Sequence, residues 1–565
     1  MVAESRSELC KVRFADSKGC KDFKLKRTKC SAIVCNVLAP HFSSDLKDDI
    51  GDQKFSLLID ESNDITVTKL LGIAIRFYSR SKKKIVVTFL DLVELPDCDS
   101  TGICDALKRS LKNNGLELQK LTAIGTDNAS VMTGVNSGVY AKLKTEVPHL
   151  ILIKCVCHSL QLAVSHATAQ CLPRNLDFLI KETYNWFSHS AIRQARYKEI
   201  FSLINDGQAP LKLIHLSQTR WLSVESAIVR ILQQWLELKT HFGMARHGEK
   251  CYTAEILYGM FCDKENYAFL VFLKHILGEV QRVNKKFEAE VQDPTKLLSD
   301  LLHLIDSMKS KVLIPGKTLK AGELIESYLD PRPYLGYEFE KEMSECKFPH
   351  EKQIRQRCVS FVVELIKQLE QRLPDNVQVL QSMSLLSAGE CLQPIKPGII
   401  DLAKMFTESD EILTRIDFQW RNLHKILWKK NTDTSELWAE ISSHTDATGE
   451  NPFSDLAELA LTVLTLPHSN ADVERIFSHM NIVKSKLRNR LSIKSLNALL
   501  TIRYGLRRNG SCCYDYKLPK EVLQSIGTLK AYESSQSPAG CSHTQPQQSA
   551  ATDEEIGDWE LADLE

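Results

Sequence analysis

The sequence predicts an α/β layer domain joined to a large all-helical region, and three observations predict it. Short runs rich in β-branched and aromatic residues occupy residues 51–154. From about 175 to 450 the apolar residues recur at i, i+3, i+4 spacing instead. Two further amphipathic helices follow before a polar, acidic end. A chain of 565 residues with 43% hydrophobic content buries sizeable cores, and its length corresponds to roughly two to four domains.

The elements follow in order. Residues 1–50 are polar and basic, with one helix expected over Lys29–Phe42 and broken by Pro40. Lys54–Asp60, Leu70–Tyr78 and Ile85–Leu95 read as strands, with Arg80-Ser-Lys-Lys-Lys84 as the hairpin turn between the last two. A helix capped by Asp99 or Ser100 carries Ile103, Leu107 and Leu111 on one face and stops before Gly115. Then come a strand at Leu121–Thr126, a helix at Gly138–Glu146, a strand at His149–Lys154 and a helix at His158–Ala169. Three strands, then helix, strand, helix, strand and helix, give a mixed sheet covered by helices.

In the helical region, Leu176–Trp186, Val224–Leu238, Phe269–Phe287, Leu298–Val312 and Cys358–Leu373 carry the helical period. Ser454–Leu466 is a helix ended by Pro467. Ser469 is placed to cap the next one, with Asp472 at the capping-box position and an apolar stripe through Val473, Ile476, Phe477, Met480, Val483 and Leu487. Ile493–Leu506 is the last helix expected. Residues 509–565, rich in Ser, Gln, Gly and acids, read as disordered. The expected domains are 1–50, 51–172, 173–450, 451–508 and the tail 509–565.

Whole-chain charge is uninformative, because 72 basic residues offset 71 acidic ones. Local charge is not. Residues 11–30 hold eight basic groups against two acids, and residues 551–565 hold seven acids and no base. The basic stretch suits phosphate contact, nuclear import or a solvated face. Seventeen scattered cysteines form no regular framework, as expected of a reduced intracellular chain. The N-terminus is charged, and no apolar run approaches the length of a membrane span, so a secretory signal and a membrane are not expected.

Two acids stand where strands run out, Asp60 in Phe55-Ser-Leu-Leu-Ile-Asp60-Glu-Ser and Asp127 in Leu121-Thr-Ala-Ile-Gly-Thr-Asp127-Asn-Ala. The first and fourth strands are neighbours in the sheet this order favours, and ligands gather at the carboxyl ends of such strands. A third acid, Glu474, lies in Ser469-Asn-Ala-Asp-Val-Glu474-Arg-Ile-Phe-Ser478. Carboxylates converging on divalent ions are what metal-assisted phosphodiester chemistry needs. The bland reading of each is a loop, cap or first-turn acid favoured by the helix dipole.

Asp60-Glu-Ser, Gly125-Thr-Asp127-Asn-Ala, Cys155-Val-Cys-His158-Ser-Leu-Gln-Leu162, Thr219-Arg220-Trp221 and Ser469…Glu474-Arg-Ile-Phe-Ser478 resemble, in order, the blocks of hAT-superfamily transposases across roughly residues 50–508. The resemblance implies an RNase H-like catalytic domain interrupted by an all-helical insertion, and a C-terminal dimerisation region that returns the last acid to the sheet. It implies that Asp60, Asp127 and Glu474 are catalytic and hold Mg²⁺ or Mn²⁺. It implies that His158, Arg220, Trp221 and Arg475 lie near DNA, with Trp221 suited to stacking on a flipped base. Cys155 belongs to the family's Cys-x-x-His block. With Cys157 and His158 it fits no standard structural zinc spacing, so zinc is not expected.

One departure counts against a full transposition cycle. Cys10, Cys20, Cys30, Cys35 and His41 lack the spacing of the BED-type zinc finger with which autonomous members recognise transposon ends. The resemblance thus implies a nuclear, hAT-transposase-derived protein with DNA and a second copy of itself as partners. Three activities stay open: DNA cleavage and strand transfer, a non-enzymatic DNA- or chromatin-binding regulator, and a dimerisation scaffold.

Overall fold

Five strands form one mixed sheet in the order β3-β2-β1-β4-β5. They are β1 (Phe55–Asn63), β2 (Lys69–Ser79), β3 (Lys84–Glu94), β4 (Leu121–Thr126) and β5 (Ile151–Lys154). β1 to β3 run antiparallel, whereas β1, β4 and β5 are parallel. The computed structural model describes residues 2–18, 25–188, 190–214, 222–290, 292–320 and 323–528.

The helices that position the site are α1 (Ala39–Ile50), α2 (Ser100–Asn113), α3 (Val139–Glu146), α4 (Val156–Cys171), α5 (Lys264–Glu288), α6 (Glu351–Arg372), α7 (Ser454–Leu464), α8 (Ala471–Val483) and α9 (Ile493–Arg508). Strand alternation sorts the side chains into two cores. Leu57, Ile59, Ile73, Ile75 and Ile124 pack under Ile103 and Leu107 of α2 and Val139 and Leu143 of α3. On the opposite face Leu58, Leu70, Ala74, Phe89 and Leu92 meet Val473, Ile476, Phe477 and Met480 of α8 and Leu496 and Leu500 of α9. Helices α4, α5, α6 and α7 share a third, larger core with the rest of the helical region. The result is an RNase H-like α/β domain together with extensive helical regions.

Several local expectations change. Pro40 does not break the N-terminal helix. It has no N–H for the Asn36 carbonyl, and the ladder widens into a π-helical turn at Val34–Leu38, with the Ala39 N–H reaching Val34 O, before α1 continues. The helix expected over Val224–Leu238 is two, Leu222–Gln233 and Trp235–Gly248. At the break, buried Gln234 donates to Leu211 O at 3.1 Å and accepts from the Tyr197 hydroxyl at 3.0 Å.

Ser469 does not cap α8. Its hydroxyl donates instead to Phe287 O at the end of α5, at 2.7 Å, and Asn470 takes the cap position without a side-chain capping bond. Leu487 leaves the apolar stripe, because α8 ends at Val483; it is 98% exposed. Beyond α9, Lys520–Ser525 is helical, and the Tyr516 ring packs tilted against Phe42 with its hydroxyl 2.7 Å from His41 Nε2. Residues 529–565 of the expected tail lie outside the described residues.

Candidate active site

The parallel pairing of β1 with β4 sets the site. Leu58 pairs with Gly125; Asp60 stands two residues further along β1, on the face Leu58 shares with α8, and Asp127 two residues on from Gly125, just past the end of β4, where its charge reaches Asp60. Asp60 pairs across the other ladder with Gly72. The two glycines explain how α8 and the segment leading into it come this close. A Cβ at Gly72 would sit 2.7 Å from Phe477 Cζ, and one at Gly125 would sit 2.8 Å from Pro467 Cβ. A glycine inside a strand often marks such close approach, and this was the signal for them in the sequence.

Asn470 fastens the start of α8 to β1 and to the residue that follows β5. Its side-chain amide donates to Ile59 O at 3.1 Å, its backbone N–H donates to Cys155 Sγ at 3.3 Å, and its carbonyl accepts from the Glu474 N–H at 3.2 Å. It is buried, and its Oδ1 has no partner. Sequence reasoning gave Asn470 no role, because an Asn before a helix reads as an ordinary cap. Asn128 does similar service after Asp127, donating to Ser159 Oγ of α4 at 2.9 Å. Asp127 Oδ1 meanwhile accepts from the Ala129 N–H at 3.1 Å, which turns the chain away from the sheet.

The electrostatics show the three acids acting on one another. Burial pushes the Asp60 carboxyl up from its ordinary 3.8 to about 7, the charge of Asp127 adds to this, and Glu474 and Glu61 add further. The Glu61 N–H, 2.9 Å from Asp60 Oδ1, opposes the rise only in part. Asp60, Asp127 and Glu474 are all half-buried. Among the described residues, no three His, Cys, Asp or Glu side chains form a ready-made coordinating group. The carboxylates therefore share a field before they share a ligand position. An all-oxygen donor set under mutual repulsion fits a hard divalent cation, which would relieve that repulsion.

The other predicted residues divide. Cys155 is buried beside the acids; its sulfur accepts from the Asn470 N–H and, across the first turn of α4, from the His158 N–H, and it feels the charge of Glu474. A hydrogen bond with Cys155 and burial push the Cys157 thiol well up. His158 is half-buried at the start of α4. Arg475 turns away from the acids. Its guanidinium donates to Glu288 O at 2.7 Å and to Asp472 at 2.5 Å and pairs with Glu290 at 3.4 Å, stapling α8 to the end of α5. Arg220 and Trp221 lie outside the described residues.

The basic C-terminal run also divides. From Arg475 to Tyr514 the sequence holds nine basic residues and no acid. Lys484 is buried against Asp64 at 2.5 Å, Arg508 against Asp45 and Asp49 at 2.6 and 3.1 Å, and Arg507 pairs with Glu290. Lys486, Arg488, Arg490, Lys494 and Arg503 are exposed.

Two stretches of the chain match known families. Residues 5–138 match the ZMYM1/FAM200 RNase-like domain, and residues 426–506 match the hAT family C-terminal dimerisation region. The first match starts within the N-terminal segment and runs through β4 and Asp127. The second includes α7, α8 with Glu474, and most of α9. Together they support a chain derived from hAT-family transposases. No helix among the described residues is long and apolar enough to cross a membrane.

Proposed function

We propose that this chain is a nuclear, hAT-transposase-derived DNA-processing protein that cleaves DNA and transfers strands with a divalent metal held by Asp60, Asp127 and Glu474. One observation carries the reading: acids from three distant segments meet at Asp60, where burial first, and then the charges of Asp127 and Glu474, raise its carboxyl from 3.8 to about 7. Such a group is uncomfortable as a structural anion and suited to exchanging its proton for a cation.

The roles divide among the residues of the chain. Asp60, on β1, and Asp127, one residue past β4, are the ligands whose spacing follows from the parallel pairing of those strands. Glu474 arrives on a helix whose position depends on Asn470, Gly72 and Gly125. A bound Mg²⁺ or Mn²⁺ would supply Lewis acidity, making a water or 3′-hydroxyl more nucleophilic and countering charge on the departing oxygen. Lys486, Arg488, Arg490 and Arg503 present positive charge for backbone phosphates, a mode that orients DNA without reading its sequence. The dimerisation-region match supports a homo-oligomer.

A second reading, a DNA- or chromatin-binding regulator or dimerisation scaffold without catalysis, is supported by the dimerisation-region match, which needs no chemistry at the acids. An assay of the purified chain with Mg²⁺ or Mn²⁺ on DNA carrying candidate terminal repeats separates the two. Metal-dependent cleavage that Asp60→Asn abolishes, with DNA binding retained, supports the enzyme. Binding without cleavage under either metal supports the regulator.

A further inference from the structure

On the flank of α8 away from Glu474 lies a cavity of about 550 Å³ between β2, β3, α9 and the segment after α5. Arg76 of β2 points into the same face as Ala74, and its residue is only 7% exposed. Its Nη2 donates to Leu464 O at 3.2 Å, but its Nε has no partner, and among the described residues no carboxylate forms an ion pair with it. Buried guanidinium groups ordinarily have such a partner, because an uncompensated buried charge is costly. His468, 5% exposed, lines the same cavity; its Nε2 meets the Gln292 amide and its Nδ1 is unpartnered.

The charge of Asp472 reaches Arg76, but none of the acids around the cavity forms an ion pair with it. Asp472 is matched by Arg475, and Glu290 by Arg475 and Arg507. Asp293 accepts from the Thr295 N–H and hydroxyl and from the Thr434 hydroxyl. Asp433 caps the helix Thr434–Ser442 through the Glu436 N–H. What remains is Arg76 with its unpartnered Nε, the unpartnered Nδ1 of His468, and exposed Lys84 on the rim. The opposite wall is apolar, with Val87, Ile476 and the ring of Tyr504.

We infer that this cavity binds a phosphate-bearing small anion, with Arg76 as its buried counter-ion and His468 Nδ1 and Lys84 as further donors. A guanidinium presents two parallel N–H groups matched to phosphate oxygens. The volume lies within the usual range for small-ligand sites, about 300–1,000 Å³, so the phosphate can be free or carried on a nucleotide whose base lies along the Tyr504 wall. The occupant would brace α8 against β2 and β3 from the side opposite the acids.

The test is a thermal-shift and calorimetric titration of the full chain in EDTA, which keeps metal-bridged phosphate out, with inorganic phosphate and with AMP. Both ligands should raise the unfolding midpoint and bind saturably. Equal affinity for the two assigns the site to phosphate alone, and tighter AMP assigns it to a nucleotide; either supports the inference. Arg76→Met, which keeps the length of the side chain, should weaken binding by about 10- to 100-fold, the usual effect of losing hydrogen bonds to a charged group. Lys84→Ala, at an exposed position that leaves folding intact, should weaken it several-fold. No shift with either ligand overturns the inference, as does unchanged affinity in Arg76→Met or, should that variant not fold, in Lys84→Ala.

Discussion

Replacing Asp60 with Asn should make the metal-free protein more stable above neutrality. A carboxyl whose folded value is raised holds its proton more tightly in the folded state. The associated stability is complete below about pH 4 and is lost as pH rises through about 7. A rise from 3.8 to about 7, at about 1.4 kcal/mol for each pH unit, sets a ceiling of about 4 kcal/mol at pH 8. Asp60 is half-buried, and solvent screening brings the expectation to about 2–3 kcal/mol. Asn resembles the protonated acid and can still accept from the Glu61 N–H at 2.9 Å. The assay is urea and thermal unfolding in EDTA at pH 4.5, 6 and 8, followed by addition of Mg²⁺ at pH 8. The variant should come nearest to the wild type at the lowest pH and exceed it most at the highest, and Mg²⁺ should raise the midpoint of the wild type alone. A variant less stable than wild type at pH 8 in EDTA, or an equal response of both proteins to Mg²⁺, would refute the reasoning.

Three other outcomes are expected. Gly72→Ala places a methyl group 2.7 Å from Phe477 Cζ and should cost about 1–3 kcal/mol in chemical unfolding, with Phe477→Leu restoring most of it. Lys484→Ala leaves Asp64 buried without its cation and should cost about 3 kcal/mol, whereas the double change Lys484→Met, Asp64→Leu should cost far less by the same measurement. DNA affinity should fall steeply with salt and differ little between unrelated duplexes; replacing exposed Arg488 and Arg490 with Ala should lower the log–log salt slope by about 2, whereas Arg508→Ala should act on stability instead.

The sheet was legible in the sequence because its strands are dense in β-branched residues and its turns are punctuated by Gly, Asp and Lys. The nearness of Asp60 and Asp127 was legible because strand order makes β1 and β4 parallel neighbours, and both acids stand toward the carboxyl ends of those strands. What escaped was settled by partners hundreds of residues away. Ser469 has the chemistry of a cap, yet the Phe287 carbonyl lies nearer to hand. Arg475, Lys484 and Arg508 look like a DNA-facing run, yet Asp472, Asp64 and Asp45 each claim one of them. Local pattern reports what a side chain can do, and tertiary competition decides which of those things it does.

The Asn470 tether also orders events in time. Its bonds to Cys155 and Ile59 close separations of 315 and 411 residues. Contacts that distant carry the largest loop-closure entropy and form late. During synthesis β1 with Asp60 and β4 with Asp127 just beyond it emerge, and can pair, long before the helix bearing Glu474 exists. A half-made or prematurely ended chain therefore holds two of the three acids and lacks the third. Any activity toward DNA would be withheld until the last segment docks, which makes completeness of the polypeptide its own licence to act.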